Sequence, residues 1–343
     1  MVTKEFPRIV FMGTPEFAVA SLDALVQAGY NVVAVITAPD KPAGRGMKLT
    51  ESAVKKYAVE HSLHVLQPEK LKNPDFLHEL LSLRADLQIV VAFRMLPEVV
   101  WNMPKMGTVN VHGSLLPQYR GAAPINWAVI NGEKETGVTT FKLKHEIDTG
   151  DVLLQESFPI GEDETAGEVH DRMKEIGAQL LVKTVEGLVN GTLKQSPQTT
   201  VNSPQLRDDV LPSSFDSGPS TSLKHAPKIF TETCKLDFTK TVDEVHNLIR
   251  GLSPFPGAFT TFNGKMMKIY KSKRELGRDA PSDLHPVTSN DQAGETVPTG
   301  EHITDGKTYF KFACSNGFIH VLELQLEGKK RMLIEDFLRG YRS

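Results

Sequence analysis

Two side chains with complementary chemistry, Asn110 and His112, lie in the run Asn110-Val111-His112-Gly113-Ser114-Leu115-Leu116-Pro117. In an extended strand residues i and i+2 project to one face, so an amide and an imidazole are presented together. The amide N–H can hold the oxygen of a carbonyl under attack, and the imidazole exchanges protons near neutral pH. A histidine at a strand end more often just satisfies a backbone carbonyl; its pairing with Asn110 is what favours chemistry here. Asp148, in His145-Glu146-Ile147-Asp148-Thr149-Gly150, is expected in a polar loop facing the same crevice. It reads either as an Asx turn or as a carboxylate that orients His112. Three such groups need no serine or cysteine nucleophile and suit direct attack of an amine on an activated carbonyl.

Other motifs are weaker. Gly13-Thr14-Pro15 follows a strand-like run but lacks the Gly-x-Gly-x-x-Gly spacing of dinucleotide sites. The loop from Ala38 to Lys48 carries Lys41, Arg45 and Lys48, a composition suited to phosphate contact or to a plain exposed loop. Lys265, Lys268, Lys271, Lys273 and Arg274 form a stretch without an acid, and Lys329, Lys330 and Arg331 are consecutive. If the two patches meet, they form a dock for a polyanion; otherwise they are a solvated face. The 11 histidines show no metal-ligand spacing, so no metal site is expected.

The elements that must position these residues follow from periodicity. Residues 8–12, 31–38, 86–93 and 108–112 are short apolar runs of the buried parallel-strand kind. Between them, residues 16–28, 53–61 and 76–83 carry helical patterns, and 124–131 and 165–190 continue them later. Residues 136–143 and 151–158 alternate as strands. This alternation predicts an α/β domain over 1–195 with a parallel-rich, Rossmann-like sheet, and places Asn110 and His112 at the carboxyl end of a central strand, where such sheets open their ligand crevice. Residues 196–227 are rich in Ser, Pro, Thr and Asp and read as a linker. Residues 228–343 then carry a helix at 242–252 and strands at 235–238, 258–262, 266–270, 308–314 and 318–326, with hairpin signals at Asn263-Gly264 and Asn316-Gly317. They predict a small OB-like β-barrel.

Composition bounds the rest. The 343 residues carry 39 basic and 42 acidic side chains, net −3, with 40% hydrophobic and 24% charged residues, which suits a globular protein of two domains. Residues 226–343 hold 17 basic against 15 acidic groups and residues 1–225 hold 22 against 27, so the second half is the more basic. No apolar run approaches the roughly 20 residues of a membrane span, and the amino-terminal residues lack an export signal. Two cysteines, Cys234 and Cys314, form neither a disulfide framework nor a zinc site, so a reducing cytoplasm is expected.

The motifs together resemble the methionyl-tRNA formyltransferase family, from Ile9-Val10-Phe11-Met12-Gly13-Thr14-Pro15-Glu16-Phe17 to Leu326-Glu327-Gly328-Lys329-Lys330-Arg331-Met332. The resemblance implies a Rossmann-like formyltransferase domain, a linker and an OB-like barrel that binds tRNA. It implies 10-formyltetrahydrofolate as co-substrate, no tightly bound cofactor, initiator methionyl-tRNA as acceptor, and a monomer. Carried over by position, Asn110, His112 and Asp148 match the catalytic trio, and Ser114, Leu115, Leu116 and Pro117 match the tetrahydrofolate-binding segment. Arg45 matches the tRNA-contacting arginine; Lys41, Lys48, Lys265 and Lys268 are further candidates for tRNA contact. The implied mechanism is direct attack by the amine, with Asn110 and protonated His112 stabilising the oxyanion and Asp148 tuning His112. The Asn-x-His motif is shared with formyltransferases acting on other amines, including amino-sugar nucleotides; the loop around Arg45 distinguishes this family. A catalytically silent RNA-binding protein would not need all three of the trio. One stretch departs from the pattern: Val91-Ala92-Phe93-Arg94-Met95-Leu96-Pro97 has Arg94 where the family has glycine, and is one residue shorter.

Overall fold

The computed structural model describes residues 4–43, 48–198, 222–277, 287–288 and 296–340. Arg45 and most of the expected linker, 199–221, lie outside the described residues. The chain divides into two compact units, one of residues 1–124, 137–158 and 170–225, the other of 125–136, 159–169 and 226–343.

The first unit is built on a seven-stranded sheet: β1 (Lys4–Gly13), β2 (Tyr30–Ile36), β3 (Val65–Leu66), β4 (Leu87–Val91), β5 (Thr108–His112), β6 (Glu135–Lys142) and β7 (Val152–Pro159), in spatial order β7-β6-β5-β4-β1-β2-β3. The pairs β3–β2, β2–β1, β1–β4 and β4–β5 are parallel, whereas β6 runs antiparallel to β5. Every residue of β4 is buried, as a strand covered on both faces must be. On one face Val10, Met12, Ala34, Ile36 and Val90 pack with Phe76, Leu80 and Val100. Apart from the single turn Glu98–Trp101, the helices of the first half are α1 (Glu16–Gln27), α2 (Ala53–Glu60), α3 (Pro74–Ser82), α4 (Pro124–Ile130) and α5 (Ala166–Val189). Their starts are chemically marked. Ser52 accepts the Lys55 N–H at 3.0 Å, and Asn73 accepts the Asp75 N–H at 2.8 Å with proline at the first helical position.

The second unit draws α4 and residues 159–169 to itself. The Asn126 amide donates to Gly251 O at 2.7 Å, and the Arg250 guanidinium donates to Gly161 O at 3.2 Å and Glu164 O at 3.0 Å. A Cβ at Gly251 would stand 2.5 Å from the Ile130 side chain, so glycine is what permits this approach. Beyond α6 (Val242–Gly251) come β8 (Ala258–Phe262), β9 (Lys265–Leu276), β10 (His302–Thr304), β11 (Phe310–Cys314), β12 (Gly317–Leu326), β13 (Met332–Leu333) and α7 (Ile334–Gly340). The strands pair antiparallel in the order β8-β9-β12-β11-β10, with β13 on β12. The sheet curls until side chains of its two edges meet: the Phe262 ring on β8 stands edge-on to His302 on β10, 5.1 Å between centroids. The architecture is a curled half-barrel; among the described residues β8 and β10 are not hydrogen-bonded to each other. Phe238, Phe310, Phe312, Ile319 and Leu324 fill it beneath Val245 and Ile249 of α6.

The Asn263-Gly264 hairpin forms as expected, with both residues at positive φ, 47° and 72°. Strand β9 runs far past the expected 266–270 because a register irregularity at residues 269–272 lets the strand continue along β12. Of the strand expected at 235–238, only Lys235 bridges to Phe259. Cys234 and Cys314 are buried free thiols, and burial pushes the Cys314 thiol up to about 12. Among the described residues no helix is long and apolar enough to cross a membrane.

Candidate active site

Strand β5 lies between β4 and β6, with Asn110 opposite Val90 and Phe141 and His112 opposite Thr139. Val109 and Val111 are buried; the alternate positions carry the half-buried Asn110 and His112, 6% exposed. The His112 ring is fixed from three sides. Its Nε2 lies 2.9 Å from Tyr119 O, its Nδ1 lies 3.9 Å from Asp148 Oδ2, and Phe141 packs edge-on with centroids 6.4 Å apart. A carbonyl only accepts, so Nε2 carries the ring proton and Nδ1 is the nitrogen open to a second one. At 3.9 Å Asp148 faces Nδ1 without a direct hydrogen bond. The Asp148 carboxylate also accepts the Gly121 N–H at 3.1 Å. Among the described residues the Asn110 carboxamide makes no hydrogen bond, which leaves its N–H groups for a ligand.

The turn after β5 is braced by β6 and β7. The Thr139 hydroxyl donates to Ser114 O at 2.6 Å and accepts the Leu116 N–H at 3.1 Å. The Gln155 amide donates to Leu116 O at 2.8 Å and to the Thr139 hydroxyl at 2.9 Å. Gly137 leaves a notch for Leu115, since a Cβ there would stand 2.5 Å from the Leu115 side chain. Within the expected folate segment Ser114 and Leu116 are therefore buried, and the Ser114 hydroxyl donates to Gln118 O at 2.6 Å. Leu115 and Pro117 are partly exposed. The Asp148 loop is pinned by Gly150, where a Cβ would fall 1.5 Å from Lys142 O, and Asp148 itself sits at φ +53°.

Side chains that sequence reasoning passed over complete the scaffold. The Gln198 amide donates to Asp148 O and Gly150 O, both at 2.9 Å, and its oxygen accepts from Arg120. The Gln118 side-chain oxygen accepts the Lys224 N–H at 2.8 Å, and Lys224 O accepts the Tyr119 N–H at 2.7 Å. Gln198 and Lys224 fall at the two ends of the span read as a linker, and those ends are stitched to the site loops. No local pattern marks them, because each acts on backbone groups.

Lys41 is exposed on a hairpin of Lys41–Ala43 with Lys48–Thr50, whose base is held by Asp40. Asp40 is ion-paired with Lys55 and accepts from Gln67 at 2.8 Å, and these bonds hold its carboxyl below the usual range. Of Lys48, the structure describes the strand backbone. Arg94 donates to Glu69 O at 2.8 Å and to Pro68 O, bolting its loop to residues 68–69. In the second unit Lys265 is exposed, whereas the Lys268 ammonium donates to Pro256 O at 2.7 Å. The two basic segments do meet: the Arg331 guanidinium lies 4.3 Å from the centroid of the Tyr270 ring and pairs with Glu323. Among the described residues no group of three His, Cys, Asp or Glu is placed to hold a metal.

Residues 7–185 match the formyl transferase family and residues 228–342 its C-terminal domain. The chain is 51% identical over 342 residues to the methionyl-tRNA formyltransferase of Phocaeicola vulgatus, covering 98% of this chain and 96% of that one. It is 48% identical over 343 residues to that of Bacteroides fragilis strain ATCC 25285, with the same coverage of each chain. Among solved structures, an N-formyltransferase from Helicobacter canadensis, in complex with folinic acid and dTDP-3-aminofucose, superposes with a TM-score of 0.61 at 21% identity, covering 94% of this chain and 99% of that one. The last likeness is one of fold; with half the residues shared along nearly the whole length of its relatives, this chain belongs to the methionyl-tRNA formyltransferase family.

Proposed function

We propose that this protein transfers the formyl group of 10-formyltetrahydrofolate to the α-amine of methionyl-initiator tRNA, and that Asn110, His112 and Asp148 carry the step. The tetrahydrofolate donor is a co-substrate, released after each turnover, and the protein works as a monomer in the cytoplasm. One observation supports the residue assignment above the others: the polar face of β5, with an uncommitted carboxamide two residues from an imidazole whose Nδ1 faces a carboxylate. The amine nitrogen attacks the formyl carbon, and the carbonyl electron pair moves to oxygen. The Asn110 N–H donates to that oxygen. A His112 protonated at Nδ1 adds a second donor, its Nε2 proton being held by Tyr119 O. Asp148, opposite Nδ1, keeps the ring oriented and draws off the amine proton. Collapse of the intermediate breaks the bond to the folate nitrogen, which takes up the proton that Asp148 drew from the amine. The Leu115 and Pro117 edges of the turn contribute the folate contact, and Lys41 and Lys265 contact the tRNA backbone.

One positioned donor to an oxyanion is worth ~2.7–4 kcal/mol, so Asn110→Ala lowers turnover by about 10²-fold or more while the fold is kept. The assay is transfer of a labelled formyl group to charged initiator methionyl-tRNA, run beside uncharged tRNA and an amino-sugar nucleotide. Label on the sugar would keep the chemistry and overturn the acceptor; near-wild-type turnover of the variant would overturn the assignment of Asn110.

A further inference from the structure

Large aromatic side chains are usually withdrawn from water, yet Phe255 is 81% exposed in Leu252-Ser253-Pro254-Phe255-Pro256-Gly257. The loop that carries it is firmly held within the second unit. The Gly257 N–H donates to Leu252 O at 2.9 Å, the Gly167 N–H to Ser253 O at 3.0 Å, and the Lys268 ammonium to Pro256 O at 2.7 Å. Prolines on both sides of Phe255 fix their own φ angles. Pro254 is seated directly on Gly167, where a Cβ would come within 2.4 Å of its ring. The ring is thus presented to solvent by a backbone that loses little further freedom on binding, which is how a pre-organised contact is built.

What surrounds the ring selects the partner. A Cβ on Gly257 would stand 3.2 Å from both the Lys268 stem and the Tyr270 ring, and Tyr270 carries the Arg331 guanidinium on its face. An exposed flat ring next to Pro256, whose carbonyl holds the Lys268 ammonium, on the half of the chain with the basic excess, has the chemistry of a platform for an unpaired base and its phosphate. The Lys268 ammonium has N–H groups beyond the one given to Pro256 O, and an apolar protein partner would offer them no acceptor. We propose that Phe255 stacks on an unpaired nucleobase of the RNA substrate, with Lys268 beside the adjoining phosphate; the inference rests on the acceptor being tRNA.

The test uses the full chain with Phe255→Ala and Phe255→Trp. Phe255→Ala is expected to raise KM for methionyl-tRNA about tenfold, with kcat at saturating tRNA and KM for 10-formyltetrahydrofolate held and the melting temperature unchanged. Phe255→Trp is expected to restore KM. Its added fluorescence is expected to be quenched by a single-stranded RNA tetranucleotide and not by a blunt RNA duplex at equal phosphate concentration. An unchanged KM in Phe255→Ala, or equal quenching by duplex, would overturn the stacking. So would a wild-type dimer in sedimentation that Phe255→Ala dissolves, which would assign the ring to a second copy of the chain. The quench does not depend on formyl transfer, so a wild type that formylates no tRNA defeats the proposed function while the stacking is still measured.

Discussion

Thr139 shows how much of the site depends on single hydroxyls. Its oxygen serves Ser114 O, the Leu116 N–H and the Gln155 amide at once, all of them close to the end of β5. Thr139→Val keeps the shape and removes the hydroxyl, leaving a buried carbonyl and a buried N–H to find new partners. Each such orphan costs about 1–3 kcal/mol, so urea unfolding should show a loss of that order, and Thr139→Ser should recover most of it. Formyl transfer should fall with the same variant, because the turn bearing Leu115 and Pro117 is no longer fixed. The residue scale was also where sequence reading met its limit. Strand alternation suffices to put Asn110 and His112 on one face, and β5 spans the expected 108–112. That Tyr119 O takes the Nε2 proton is not legible, since every residue carries a carbonyl and none is distinguished by side-chain type. For the same reason Gln198 stood out from nothing around it.

At the scale of elements, α6 is secured at its start and buries a histidine within. Thr241 and Glu244 form a reciprocal capping box, and the Asn316 side chain accepts the Val242 N–H at 2.9 Å. One turn on, His246 is 2% exposed, with Nδ1 2.9 Å from the Ser272 hydroxyl. Its Nε2 makes no hydrogen bond among the described residues, although the Asp163 carboxylate is 3.2 Å away, out of line. Burial holds the pKa of His246 below the ordinary histidine value; Arg274 and Arg250 push the same way, and Asp163 and the Glu162 backbone oppose them. The folded state therefore keeps the ring neutral where the unfolded chain, with a pKa near 6.5, takes up a proton. Below that pH the unfolded state binds more protons, so stability falls as pH drops. The melting temperature should decline between about pH 7 and pH 5, and decline less in His246→Gln. His302 is shifted the same way by burial, so part of the slope should remain. A variant slope equal to wild type would remove His246 from the account. The helix itself was readable from its periodicity. Its partners were not, because an apolar stripe states that a face is buried and not against what.

For the molecule as a whole, alternation of apolar runs with helical patterns was enough to predict the α/β sheet, and turn chemistry was enough to predict the antiparallel second half. What the pattern could not show is that residues 125–136 and 159–169 pack with the second unit. Their apolar positions suit either surface, and the choice depends on close approaches such as Gly251 to Ile130. The two thiols carry a different consequence. Cys234 and Cys314 are both buried in the second unit, and burial holds both in the protonated, unreactive form. A maleimide added to the native chain therefore finds nothing to alkylate until the half-barrel opens, and each mass increment it leaves timestamps one such opening. By the same token, a single cysteine engineered onto the surface would be the chain's sole handle for a dye or spin probe.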